Sequence, residues 1–140
     1  MPGKRILVVE DTENIRKIIK FTLAQRGYEV LESGNGLEAF KMAQAQMPDL
    51  MLLDVMLPDK AGFEICAELK ADPRYAKIKI VMLTAIAKDL GKDDAYWKNK
   101  CGADGFLSKP FKAKDVLDTI EKLLPGSAST PPALAPQKPG

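Results

Sequence analysis

The chain has 140 residues, 46% of them hydrophobic, which is enough for one packed core and too little for two ordinary domains. Its 21 basic and 19 acidic residues leave a net charge of +2 and are interspersed, so no basic block tracks a phosphate backbone and direct nucleic-acid binding is not expected. The two cysteines, Cys66 and Cys101, form no C-x-x-C pair, and no histidine is present to complete a zinc site; two separate reduced thiols and a cytoplasmic location are the expectation. The start, Met1-Pro2-Gly3-Lys4-Arg5, runs straight into an apolar stretch of strand length, far below the roughly 18 residues of a membrane span, so neither signal peptide nor anchor is expected.

In chain order, Ile6 to Val9 is the first of five short apolar runs that read as buried strands. Asn14 to Arg26 follows with helical periodicity in Ile15, Ile18, Ile19 and Thr22, and Gly27 stands where a helix C-terminal glycine belongs. Tyr28 to Leu31 reads as a strand, Leu37 to Ala45 as a helix, Leu50 to Leu53 as a strand and Phe63 to Lys70 as a helix. Ile80 to Leu83 is the fourth strand, a helix is expected near Asp93 to Lys100, Gly105 to Leu107 is a weaker fifth strand, and Val116, Ile120 and Leu123 mark the last helix. Strand then helix, repeated through the chain, predicts an α/β fold: a doubly wound, five-stranded parallel sheet with helices on both faces. Right-handed crossovers make the flavodoxin-like order 2-1-3-4-5 the commonest arrangement of five such strands. After Leu124 the composition changes, with Pro125, Pro131, Pro132, Pro136 and Pro139 among Ala, Ser and Gly; a domain over 1–124 and a disordered Pro/Ala-rich tail or linker over 125–140 are expected.

Sheets of this kind bind ligands beyond the carboxyl ends of their strands, where the strand order reverses, here between the first and third strands. The first strand ends in Glu10 and Asp11, the third in Asp54 and the fourth in Thr84, and the fifth leads through Ser108 to Lys109. Three carboxylates held together repel one another, so the site either raises a pKa or recruits a cation, and ligands that are all oxygen favour magnesium, with manganese the other candidate. A divalent ion plus Lys109 offsets the three negative charges and leaves a neutral site suited to a phosphoryl anion. Asp54 is the candidate nucleophile, since carboxylate attack on phosphorus depends on positioning and electrostatics more than on acid-base chemistry. Leu57-Pro58 breaks the chain after the strand and Gly62 opens the next helix, so a loop surrounds the site and brings the backbone carbonyl of Met56 within reach of the metal.

Over residues 4 to 124 these features resemble the receiver domain of two-component response regulators. The resemblance is carried by Glu10-Asp11, by Asp54-Val55-Met56-Leu57-Pro58 with Gly62, by Thr84-Ala85 and by Lys109-Pro110-Phe111. It implies that Glu10, Asp11, Asp54 and the Met56 carbonyl hold Mg2+, that Lys109 contacts the phosphoryl oxygens, that Thr84 hydrogen-bonds them after transfer, and that Phe106 is the switch aromatic. It also implies a cis Lys109–Pro110 peptide. The implied donor is a phosphohistidine on a histidine kinase or phosphotransfer protein, which this histidine-free chain cannot itself carry. A downstream protein target would read the surface made by the fourth helix, fifth strand and fifth helix, the face through which a homodimer would also form.

In that scheme phosphorylation adds about one negative charge and three acceptor oxygens. The loop after Thr84 is drawn inward and Phe106 turns from solvent toward the interior. Three departures from an average member stand out. The interval from Thr84 to Lys109 is slightly long, so the fourth helix starts late or bulges. Met56 and Ile86 are apolar where residues influence water access to phosphorus, which predicts slow self-hydrolysis. Phe106 lacks the hydroxyl of the tyrosine that is also common there.

Blander readings stand beside these. Taken singly, Asp11 or Thr12 is a helix cap for the segment near Asn14. Asp49, Asp59, Asp72, Asp89, Asp93, Asp94 and Asp104 read as solvated surface or turn residues, and Tyr96 and Trp97 as either a docking patch or a partly buried pair. A magnesium-dependent aspartyl phosphohydrolase would need a second acid, yet Met56 follows Asp54 by two and Glu13 follows Asp11 by two, so no Asp-x-Asp arrangement exists. No G-x-x-x-x-G-K or G-x-G-x-x-G follows the first strand to cradle a nucleotide. A phosphorylation-independent scaffold is the remaining alternative. The expected protein is a switch whose only catalysis is its own phosphoryl transfer and slow dephosphorylation.

Overall fold

Alternate residues of a strand point to opposite faces of its sheet, and in this chain both sets are apolar, so the central strands must be covered on two sides. The computed structural model describes residues 4–55, 57, 59, 61–84, 102–108 and 111–124, with Thr84 and Ser108 described by their backbone alone. It contains β1 (Arg5–Val9), α1 (Glu13–Ala24), β2 (Glu29–Ser33), α2 (Gly36–Gln46), β3 (Leu50–Asp54), α3 (Gly62–Ala71), β4 (Lys79–Thr84), β5 (Gly105–Ser108) and α4 (Ala113–Leu123). All strand pairs are parallel and the order is β2-β1-β3-β4-β5, as the alternating pattern predicts.

One core layer joins Leu7 and Val9 of β1, Met51 and Leu53 of β3, and Ile80 and Met82 of β4 to Ala39 and Ala43 of α2 and Ile65, Cys66 and Leu69 of α3. The other joins Ile6, Val8, Leu50, Leu52, Val81 and Leu83 to Ile19 and Leu23 of α1 and Val116 and Ile120 of α4. Every residue of β3 is buried, as expected for a strand with neighbours on both edges and helices on both faces.

The buried face of α1 differs from the expected one. Ile18 belongs to the expected apolar face, but it is 62% exposed, while Leu23 is buried. The buried stripe runs Ile15, Ile19, Leu23, and at 3.6 residues per turn Ile18 lies about 100° from its centre. Gly27 does terminate this helix: its N–H donates to the Ala24 carbonyl at 3.1 Å, and its φ of 86° turns the chain so that the Tyr28 N–H reaches the Leu23 carbonyl at 3.2 Å. At the end of α2 the same left-handed geometry falls on Met47, with φ 47°.

Two acids expected to be solvated are structural ties. Asp49 Oδ2 accepts the Arg5 N–H at 2.8 Å, at the start of β1. Asp104 Oδ2 accepts the Ile80 N–H at 2.9 Å and pairs with Lys70 Nζ at 2.7 Å. Lys70 also donates to the carbonyls of Ala76 at 3.0 Å and Ile78 at 2.8 Å, so one ammonium closes the α3–β4 turn onto the entry to β5. The expected helix near 93–100, with Tyr96 and Trp97, lies outside the described residues, as do Cys101 and the 125–140 tail. Among the described residues no helix is long and apolar enough to cross a membrane.

Replacing Lys70 by Met removes three charge-assisted bonds and leaves a partly buried carboxylate without its cation. Urea denaturation is expected to show a loss of about 1–3 kcal/mol, whereas Lys114→Met, which removes a solvent-exposed pair with Asp118, should leave the midpoint nearly unchanged.

Candidate functional site

The β1–β3 register pairs Ile6 with Leu50, Leu7 with Met51, Val8 with Leu52 and Val9 with Leu53. Continuing that ladder by one residue brings Glu10 beside Asp54 at the carboxyl edge of the sheet. Asp11 completes the group: carboxylate oxygens of Glu10, Asp11 and Asp54 all lie within 4.8 Å of one another. Glu10 and Asp54 are buried, at 0% and 4% exposure, and Asp11 is open to solvent. The donor set is oxygen alone, which suits a hard divalent cation such as magnesium or manganese and does not suit zinc or copper. The three residues therefore fit the cation that their charges call for.

Local structure holds these groups in place. Glu10 Oε2 accepts the Thr12 N–H at 3.3 Å, and the Glu10 N–H donates to the Ser33 carbonyl of β2 at 3.1 Å. Thr12 occupies the N-cap of α1, yet its side chain makes no capping hydrogen bond, so the capping reading describes its position and not its bonding. Arg16, which the sequence reading did not single out, donates from Nη1 to the Glu10 carbonyl at 2.6 Å and from Nε to Glu32 at 3.3 Å. Its signal in the sequence was an arginine one helical turn after the cap, facing an acid on β2.

Glu32 is held below its ordinary value of 4.5 by its hydrogen bond to Lys20, with Arg16 reinforcing the effect and partial burial opposing it. On the far side of Asp54, Gly62 packs so tightly that a Cβ there would stand 2.0 Å from the Asp54 carbonyl oxygen, and the Gly62 N–H donates to Val55 at 2.9 Å. Only a glycine lets α3 start this close to the end of β3.

Thr84 ends β4 opposite Ser108 of β5, at the same edge of the sheet, and Asp54 pairs with Leu83 one residue before it. Phe106 is half-buried and packs against the core layer covered by α2 and α3. The Thr84 side chain, Met56, Ile86, Lys109 and the Lys109–Pro110 peptide lie outside the described residues.

The sequence profile of the response regulator receiver domain matches residues 6–121. This chain belongs to that family. It is 36% identical over 131 residues to the alkaline phosphatase synthesis transcriptional regulatory protein PhoP of Bacillus subtilis, covering 94% of this chain and 52% of PhoP. With the polar-differentiation response regulator DivK of Brucella anthropi it shares 33% identity over 121 residues, covering 86% of this chain and 96% of DivK. The receiver thus spans about half the length of a transcriptional regulator such as PhoP and nearly all of a single-domain regulator such as DivK.

Among solved structures, the chemotaxis response regulator CheY4 of Vibrio cholerae matches with a TM-score of 0.78 at 31% identity, covering 86% of this chain and 98% of that one. The receiver domain of sensor histidine kinase PA1611 from Pseudomonas aeruginosa, described with a magnesium ion coordinated in its active-site cleft, matches with a TM-score of 0.77 at 29% identity, covering 87% and 98% of the two chains.

Two measurements test how this receiver builds its edge. Gly62→Ala forces the backbone contact with Asp54 apart and should destabilise the fold by about 3 kcal/mol in urea denaturation. For Glu32, whose folded pKa is depressed, the ion pair's contribution to stability is present above the ordinary value of 4.5 and is lost as pH falls through the folded value. A carboxyl titration followed by NMR should therefore place Glu32 below 4.5, and Lys20→Met should raise it.

Proposed function

We propose that this chain is a phosphorylation-dependent signalling switch in which Asp54 accepts a phosphoryl group beside a Mg2+ ion, with Mn2+ able to substitute. The observation that carries this reading is the convergence of Glu10, Asp11 and Asp54 within 4.8 Å at the carboxyl ends of adjacent strands in a receiver fold. Glu10, Asp11, Asp54 and the Met56 carbonyl are the groups assigned to the ion. The ion supplies charge neutralisation and a template for the incoming oxygens.

This chain's own residues do the rest. An Asp54 carboxylate oxygen attacks phosphorus and forms the new O–P bond, while the N–P bond of the donor phosphohistidine breaks and its imidazole leaves with the electron pair, regaining a proton. Lys109 is assigned to the phosphoryl oxygens during transfer and Thr84 to the product acyl phosphate. The donor is assigned to a histidine kinase or phosphotransfer protein, as membership of the receiver family suggests, and this histidine-free chain cannot carry the donor group itself.

The output is a change of shape at the face around β5, with Thr84 moving inward and Phe106 turning toward the interior; a target protein, or a second copy of the chain, reads that face. The two-state shift needs about 5.5 kcal/mol to go from 1:99 to 99:1, within reach of a few charge-assisted hydrogen bonds at about 1.5–3 kcal/mol each. Met56 and Ile86 are assigned to slowing hydrolysis of the acyl phosphate. A receiver unit over 1–124 followed by a tail or linker, in the cytoplasm, completes the reading.

Intact-protein mass spectrometry after incubation with acetyl phosphate tests the proposal. One added phosphoryl group is expected in the presence of Mg2+, and none with chelator or in Asp54→Ala. Absence of the adduct in the wild-type protein under every condition would overturn the switch and favour a scaffold that recognises partners without phosphorylation.

A further inference from the structure

Just past the end of β1, the N–H of Glu10 continues the ladder and donates to the Ser33 carbonyl of β2 at 3.1 Å. In a parallel ladder the carbonyl of that same residue accepts from the N–H two positions after the partner, which here is Asn35. The Asn35 N–H is turned instead to Ser33 Oγ at 3.3 Å, because the chain is already bending into α2. The Arg16 guanidinium takes its place, with Nη1 donating to the Glu10 carbonyl at 2.6 Å. Gly34 leaves room for it: a Cβ there would stand 3.2 Å from Nη1.

An ion pair with Glu32 is the ordinary reason for an arginine at this position, and the distances assign it the smaller share. Arg16 Nε stands 3.3 Å from Glu32 Oε1, whereas Lys20 Nζ holds Glu32 Oε2 at 2.7 Å, so Glu32 has a closer cation of its own. The shorter bond of Arg16 goes to the carbonyl. That carbonyl belongs to the planar peptide joining Glu10 to Asp11. With the Glu10 N–H already held by β2, fixing the carbonyl fixes the turn of the chain from one acid into the next. Both acids carry a carboxylate of the cluster whose oxygens lie within 4.8 Å of one another.

We infer that Arg16 is a positioning residue for the cation site: by holding the Glu10–Asp11 peptide where the ladder has no donor left for it, the guanidinium sets the separation of two of the three carboxylates. The inference rests on the proposed function, since it assigns those carboxylates to the ion.

The test is Mg2+ binding by isothermal titration calorimetry on the full chain, with thermal melting alongside, for the wild type, Arg16→Met, Arg16→Lys, Gly34→Ala, the double variant Arg16→Met with Gly34→Ala, and Lys20→Met. Arg16→Met should raise the Mg2+ Kd about ten-fold. The sign is decisive, because removing a nearby positive charge would by Coulomb attraction alone tighten binding of a dication. Arg16→Lys, which keeps the charge and one donor, should fall between Arg16→Met and the wild type. Gly34→Ala, which pushes the guanidinium off the carbonyl without removing it, should raise Kd less than Arg16→Met does. In the double variant it should add nothing, having no guanidinium to displace. Lys20→Met removes the closer partner of Glu32 without touching Glu10, and should lower Tm while leaving Kd unchanged.

A Kd for Arg16→Met equal to or below that of the wild type, with Tm lowered, would reduce Arg16 to a structural ion pair and overturn the inference. Fully additive effects of Arg16→Met and Gly34→Ala on Kd would overturn it as well, since the two changes would then act through different contacts. Should Arg16→Met fail to fold, the Kd values of Arg16→Lys and Gly34→Ala decide. A wild-type protein that binds no Mg2+ would instead remove the proposed function on which the inference stands, and is recognised by that first titration alone.

Discussion

Glu10 and Asp54 stand at the ends of neighbouring parallel strands and cannot move apart without breaking the ladder that carries them. Two carboxylates within 4.8 Å repel whenever both are charged, by about 3 kcal/mol at an effective dielectric of about 20. The sheet bears that cost because both strands are held elsewhere: β3 is buried along its whole length and β1 is hydrogen-bonded on both edges. A cation at this edge, as proposed, would relieve that repulsion, and the rest of the fold is the frame that holds the two residues together.

The frame closes around the site from three directions. Arg16 of α1 holds the carbonyl of Glu10 and ties it to Glu32 of β2. Gly62 lets α3 begin against the carbonyl of Asp54. Asp59 links the intervening loop to α2. Each uses a different physical resource: a bifurcated guanidinium, the absence of a side chain, and the free donors of a helix end. Together they bring α1 and α3 against the backbone of Glu10 and Asp54 and tie α2 to Asp59.

Lys70 and Asp104 play the corresponding part at the opposite edge of the sheet, where β4 and β5 begin. Their pair holds β5 in register, and with it Phe106, which sits opposite Met82 with its ring only half-buried. A half-buried aromatic at the last strand has less packing to lose on rotation than one in β3 would, which is the property the proposed switch asks of it.

The strands, most helices and the acidic residues of the site were legible in the sequence because each depends on a local signal: short apolar runs, helical spacing, a glycine after a helix, a carboxylate where a strand stops. Glu10, Asp11 and Asp54 could be expected to meet once the strand order was inferred, since parallel strands bring their carboxyl ends to one edge. The exposure of Ile18, the bonds of Asp49, Asp59 and Asp104, and the part played by Arg16 could not be read that way. An acid in a turn has the same local signature whether it faces water or a distant backbone N–H, and Ile18 differs from Ile19 only in which side of α1 the sheet occupies. The sequence by itself determined the elements and the chemistry at their ends; only the tertiary structure decided which polar groups tie one element to another, because those bonds join residues more than 20 positions apart and depend on how closely packed bodies approach.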